Sequence, residues 1–189
     1  MSGSDSLSKF AEDRGLAYSP TAELPAQGST LSRGDAKVEG AVSGSLPGGV
    51  EGTLSHFTYT YTYTDSDDHT HTEIRRFTRV DTRIPESIGF LPYFGFSGRA
   101  SHFAANAGGE DMAKIDLGDR KAFEGASAYA YKGTSQSWLT QLLSPAFADW
   151  LGRSEDSFGF ELANGVLCAG RDGFVEDATR GFQAGVKDS

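Results

Sequence analysis

The chain has 189 residues, 38% of them apolar, with 17 basic against 26 acidic side chains and a formal charge of −9. That is the length of a single domain with its own core, and the negative balance argues against a nucleic-acid groove or an anionic membrane surface as the main partner. One cysteine, Cys168, excludes an internal disulfide framework, and no apolar run reaches the ~18 residues of a membrane span.

Residues 1–15 carry Ser4-Asp5-Ser6, then Leu7 and Phe10 three apart, then Gly15, which predicts a short N-terminal helix. The chain start lacks the basic-plus-apolar pattern of a signal region, which favours the cytoplasm. Residues 16–36 hold Pro20, Pro25 and Gly28 among hydroxyl side chains and read as loop. Over residues 37–84 the apolar period becomes two, and long antiparallel hairpins are expected. Pro47-Gly48-Gly49 turns the first strand into one on which Phe57, Tyr59, Tyr61 and Tyr63 share a face, with His56, Thr58, Thr60 and Thr62 opposite. Asp65-Ser66-Asp67-Asp68 then turns that strand back from His69 to about Ile84.

Residues 85–111 change texture. Pro85 and Pro92 break regular structure, while Phe90, Leu91, Tyr93, Phe94, Phe96 and Phe103 alternate with glycines, so an aromatic, glycine-rich loop is expected. Residues 112–173 then supply a strand near 126–131 and a helix pair over 135–151. Trp138, Leu139, Leu142, Leu143, Phe147 and Leu151 form its apolar stripe, and Ser144-Pro145 divides it. Next comes a hairpin turned by Asn164-Gly165. Residues 174–189 read as a closing helix with Phe182 on its inner side. The predicted fold class is α+β, in one domain: a twisted antiparallel sheet of long hairpins backed by an amphipathic helix pair and terminal helices.

Familiar catalytic and cofactor signatures are missing. There is no phosphate loop, no dinucleotide fingerprint and no nucleophile elbow, and Gly95-Phe96-Ser97-Gly98 brings its second glycine one position too early for the last. No cofactor is expected. Cys168, in an apolar strand beside an Asn-Gly turn, reads as a small core residue. His69 and His71 would lie on one face about 6.5–7 Å apart, a spacing that suits metal ligands with Asp67, Asp68 or Glu73, and equally the solvated end of a hairpin. A calcium loop fails, because its sixth and twelfth positions are Thr70 and Arg76.

Three further features are candidate contact surfaces. Arg75, Arg79 and Arg83 share parity and could clamp a phosphate or carboxylate, or pair across strands and guard a sheet edge. Phe90, Tyr93, Phe94, Phe96 and Phe103 either fold over the core or present a surface to a partner. The tyrosines at 59, 61 and 63 could offer a stacking platform for a sugar or base, or pack inward.

Several motifs taken together resemble a loosely defined group of bacterial, often actinobacterial, proteins of unknown function. They are Phe10-Ala11-Glu12-Asp13-Arg14-Gly15-Leu16, the run Thr58-Tyr59-Thr60-Tyr61-Thr62 leading to Arg76-Phe77-Thr78-Arg79-Val80, the stretch 142–151, and Gly165-Val166-Leu167-Cys168-Ala169-Gly170. The resemblance spans most of residues 8–175, is interrupted over 90–109, and implies neither an activity nor a site residue. The function expected from the residues is a non-enzymatic binding or assembly module that meets a protein partner, or a second copy, through the apolar segment 90–103. The rival is a small-molecule or metal-dependent hydrolase built on His69/His71 and the arginine face, and a third reading is a ligand-carrying β-cup lined by the tyrosines.

Overall fold

The computed structural model describes residues 3–23, 36–85, 93–104, 111–118, 121–151, 153 and 157–174. Helix α1 is Gly3–Arg14, and the strands are β1 Ala17–Ser19, β2 Lys37–Leu46, β3 Val50–Thr64, β4 Thr70–Arg83, β5 Phe94–Ser97, β6 Met112–Lys114, β7 Ser127–Tyr131, β8 Phe158–Ala163 and β9 Val166–Asp172. Helices α2, Gln136–Leu142, and α3, Pro145–Leu151, lie between β7 and β8. All nine strands join one antiparallel sheet in the order β1-β2-β3-β4-β9-β8-β5-β7-β6. The α+β class with an antiparallel sheet is therefore the architecture of the chain.

Two segments depart from expectation. The stretch expected as loop over 16–36 contains β1, which pairs with β2 through Tyr18↔Val42. Within 85–111, Phe94–Ser97 is an interior strand of the sheet, with Phe94 opposite Leu162 of β8 on one side and Ala130 of β7 on the other. Four residues are too few to show a period, and both partners lie far along the chain, so the local sequence carries no strand signal there. Phe90, most of 16–36 and residues 175–189 of the expected closing helix fall outside the described residues.

The pleat divides the sheet into two faces of opposite character. One rank runs across seven strands as Val42, Leu54, Val80, Ala169, Phe160, Phe96 and Ala128, each opposite the next. Leu7, Phe10 and Ala11 of α1 cover its β2–β3 end. Leu139 and Leu143 from α2 and its C-terminal edge, with Ala148 and Leu151 of α3, cover the Phe94–Phe96–Phe160 end. Ser144 starts α3 by accepting a bond from the Phe147 N–H at 3.3 Å. Removing such side chains from water contributes about 1.5–3 kcal/mol each.

The neighbouring ranks point the other way and are polar. One is Ser55, Arg79, Gly170, Gly159 and Ser97; the next is Thr53, Asp81, Cys168, Glu161 and Gly95. Beside them Phe57, Tyr59, Phe77 and Phe103 form a second aromatic cluster. A side chain at Gly170 would collide with Phe103, whose ring atoms Cε2 and Cγ stand 2.5 and 2.9 Å from the Cβ position. Phe103 thus lies flat on the sheet where the strand offers only backbone.

Candidate functional site

The aromatic residues first expected to meet a partner are interior. Phe94 and Phe103 have no exposed surface, Phe96 is 2% exposed and Tyr93 is buried. Phe94 and Phe96 pack on Phe160, with ring centroids 5.7 Å apart in both cases. Phe103 meets Phe57 and Phe77 edge-on at 6.4 and 6.0 Å. The reading of these four as an exposed contact surface is corrected: alternation in β5 sends Phe94 and Phe96 under the helices and Tyr93 to the polar face.

The arginine row also dissolves into separate roles. Consecutive members are four residues apart, about 13 Å along a strand, too far to grip one anion. Arg75 lies over the Tyr61 ring at 4.2 Å and Arg83 is exposed. Arg79 is buried to 1% exposure, its Nε donating to both Asp81 carboxylate oxygens at 2.8 Å and its Nη2 to Oδ1 at 2.5 Å. Asp81 sits directly opposite Cys168, and Cys168 opposite Glu161, which accepts the Tyr93 hydroxyl at 3.0 Å. Burial pushes the Cys168 thiol well above its ordinary pKa, Asp81 and Glu161 add to the rise, and the Arg79 guanidinium opposes it. A neutral, enclosed thiol is a packing residue rather than a nucleophile. This cluster is closed to solvent and cross-links the sheet from within.

The accessible chemistry lies at the far end of the same hairpin. Pairing of β2 with β3 stops at Lys37↔Thr58, and pairing of β9 with β4 stops at Phe77↔Asp172. Strands β3 and β4 continue alone from Tyr59↔Arg75 to Thr64↔Thr70. Six pairs at ~3.3 Å per residue make a ribbon about 20 Å long. Among the described residues no strand flanks it.

One face of the ribbon is a ladder of rings. Phe77 stacks on Tyr59 at 5.5 Å, Tyr61 on Tyr63 at 5.6 Å and Tyr63 on His71 at 5.2 Å. The other face carries the threonine row and Ile74, which is 60% exposed. At the tip, Asp65 accepts from His71 Nε2 at 2.7 Å and from the backbone N–H groups of His69 and Asp67 at 2.9 and 3.0 Å. Chiefly the His71 bond, and then that of the His69 N–H, hold the Asp65 carboxyl below its ordinary value. His69 and His71 thus meet in one carboxylate that closes the turn. Among the described residues no group of three or more His, Cys, Asp or Glu side chains is arranged to hold a metal ion.

One pairing has no local trace in the sequence. His102 Nδ1 lies 2.5 Å from Asp172 Oδ2, 70 positions away, and the His102 backbone N–H donates to the same carboxylate. Asp172 thereby clamps the segment that carries Phe103 onto the end of β9. Ile74 is different. An apolar residue inside Thr72-Glu73-Ile74-Arg75-Arg76, on the face opposite the tyrosines, was visible as a mismatch with its polar row.

No family model matches this chain, and the comparisons with curated proteins and with solved structures found no match. Among the described residues no helix is long and apolar enough to cross a membrane.

Proposed function

We propose that this protein is a non-enzymatic binding and assembly module whose contact element is the β3–β4 ribbon. The observation that carries the reading is that, among the described residues, the ribbon runs on past the last paired positions of β2 and β9, with an aromatic ladder on one face and an exposed isoleucine on the other. A two-stranded ribbon is marginal on its own in water, and stacked rings with an arginine over one of them are the residue types that anchor protein contacts. Phe103 serves this function indirectly: it packs on Phe57 and Phe77, and Phe77 stacks on Tyr59 at the ribbon's root.

Site-specific photo-crosslinking tests it. A benzophenone side chain is placed at Tyr63, at Ile74 and, as a control, at the exposed Val50 near the opposite end of the hairpin. The chain is then irradiated in an extract of the cells that make it. Discrete adducts at 63 and 74 and none at 50 are expected. Adducts of equal yield at all three positions, or none at the ribbon, would refute the assignment.

A further inference from the structure

The sheet ends at β6, far from the ribbon. The Asp111 carbonyl accepts the Lys132 N–H at 2.8 Å, and the Ile115 N–H donates to the Ala128 carbonyl at 2.8 Å. Odd-numbered residues therefore bond to β7, and the ladder runs one residue past Lys114. Lys114 and Asp116 turn their N–H and C=O outward, and among the described residues no strand lies beyond them. Gly118, with φ of 67°, ends the extended run, its N–H donating to Asp116 Oδ1 at 2.9 Å.

The side chains of this edge fall into two rows. Ala113, Ile115 and Leu117 are half-buried on the helix face, where Ile115 and Leu117 pack against the core under α2 and α3. A groove of about 390 Å³, lined in part by Ile115, Leu117, Phe123 and Ala126, lies alongside them. Lys114 and Asp116 are exposed on the opposite face. Among the described residues the Lys114 ammonium has no partner, and the Asp116 carboxylate accepts only the Gly118 N–H, which leaves Oδ2 open.

We infer that this edge pairs antiparallel with the same edge of a second copy, about a two-fold axis through Ile115, so that two sheets become one. The surface is separate from the ribbon, and the inference goes beyond the proposed function. In an antiparallel pair opposed residues share a face, so the axis passes through a residue. Centring it on Lys114 or on Asp116 opposes like charges, and centring it on Ala113 sets Asp111 against Ile115. The axis at Ile115 alone sets Lys114 against Asp116 of the second copy, and does so twice. On the helix face the same register opposes Ile115 to Ile115 and, on either side, Ala113 to Leu117. Each Lys114–Asp116 pair exchanges both main-chain bonds. A lone lysine on an edge strand opposes pairing; Asp116, two residues on, turns that repulsion into attraction across the axis. The contact is isologous, so it closes at two copies.

Sedimentation velocity over a concentration series tests the inference. Five opposed positions make about 17 Å of ladder, a contact at the small end of the range, so wild type should dimerise with a dissociation constant on the order of 100 μM. Lys114→Glu and Asp116→Lys each create two like-charge oppositions, and each should weaken self-association roughly tenfold or more. Mixed one to one, they restore both opposite-charge pairs and should form a heterodimer of near wild-type strength. The chain carrying both changes should likewise dimerise as wild type does. Either recovery also shows that the variants are folded. Wild type that stays monomeric at millimolar concentration would overturn the inference. Single variants that dimerise like wild type, or a mixture that does not recover, would place any dimer contact elsewhere and overturn it too. None of these outcomes touches the ribbon, whose role is read from adducts at 63 and 74.

Discussion

Replacing Asp81 by Asn tests whether the polar face is held together by the buried ion pair. Arg79 is 1% exposed and gives both its Nε and its Nη2 to Asp81, whose side chain is 6% exposed. The amide is nearly isosteric, so packing is preserved while the charge that neutralises the guanidinium is removed. Breaking a buried pair by taking one partner costs about 3–5 kcal/mol. For a chain of this length each kcal/mol moves the melting temperature by about 2–4 °C, so a drop of roughly 6–20 °C is expected. Replacing both partners, with Arg79→Met and Asp81→Leu, removes the charges together and should recover most of the loss, since apolar replacements of similar volume are often neutral. Urea unfolding of the wild type, Arg79→Met, Asp81→Leu and the double variant yields the coupling energy directly. A loss below about 1 kcal/mol for Asp81→Asn, or additive single effects, would show that the pair does not hold this face and refute the reasoning.

Three further outcomes follow from the same contacts. Gly170→Ala drives a methyl group into the Phe103 ring and should cost about 1–3 kcal/mol; adding Phe103→Leu should recover part of it, and strict additivity in denaturant unfolding would count against the close approach. Asp65, held below its ordinary pKa by His71 and the His69 N–H, stabilises the turn above its unfolded-state value of about 3.9 and loses that contribution as pH falls through the folded value. Wild type and Asp65→Asn should therefore differ in hairpin stability near neutrality and converge in acid; amide exchange at residues 62–72 that stays separated at low pH would refute this. Cys168, buried and with its thiol pKa pushed up, should react with a disulfide reagent only at the rate of opening. Prompt labelling of the native protein would show that the polar face is open to solvent.

The sequence made the hairpins plain wherever alternation ran long. The tyrosine run, the Asp65–Asp68 turn and the Asn164-Gly165 turn are all where residue chemistry puts them, the last with φ of 48° and 77° at its two central residues. Strand β5 was not legible. Phe94 and Phe96 do alternate with Gly95 and Ser97, but a four-residue strand shows its period only when its neighbours are known, and here they are β7 and β8. Parity placed Arg75 and Arg79 correctly on one face. It did not reveal that Asp81, two residues on and on that same face, would claim Arg79, because an i, i+2 pair in a strand is as readily solvated as bonded. The ribbon escaped notice for a related reason: where β2 and β9 stop pairing is a property of those strands, not of β3 and β4.

The opposition of the two faces also guards the alignment of the strands. A slip of β4 against β9 by one residue would turn Arg79 and Asp81 toward Phe160 and Ala169 and expose Val80 to the polar side. Mispaired chains would have to strand a guanidinium and a carboxylate beneath the helices, whereas the native alignment satisfies both, so the pair penalises the slipped register.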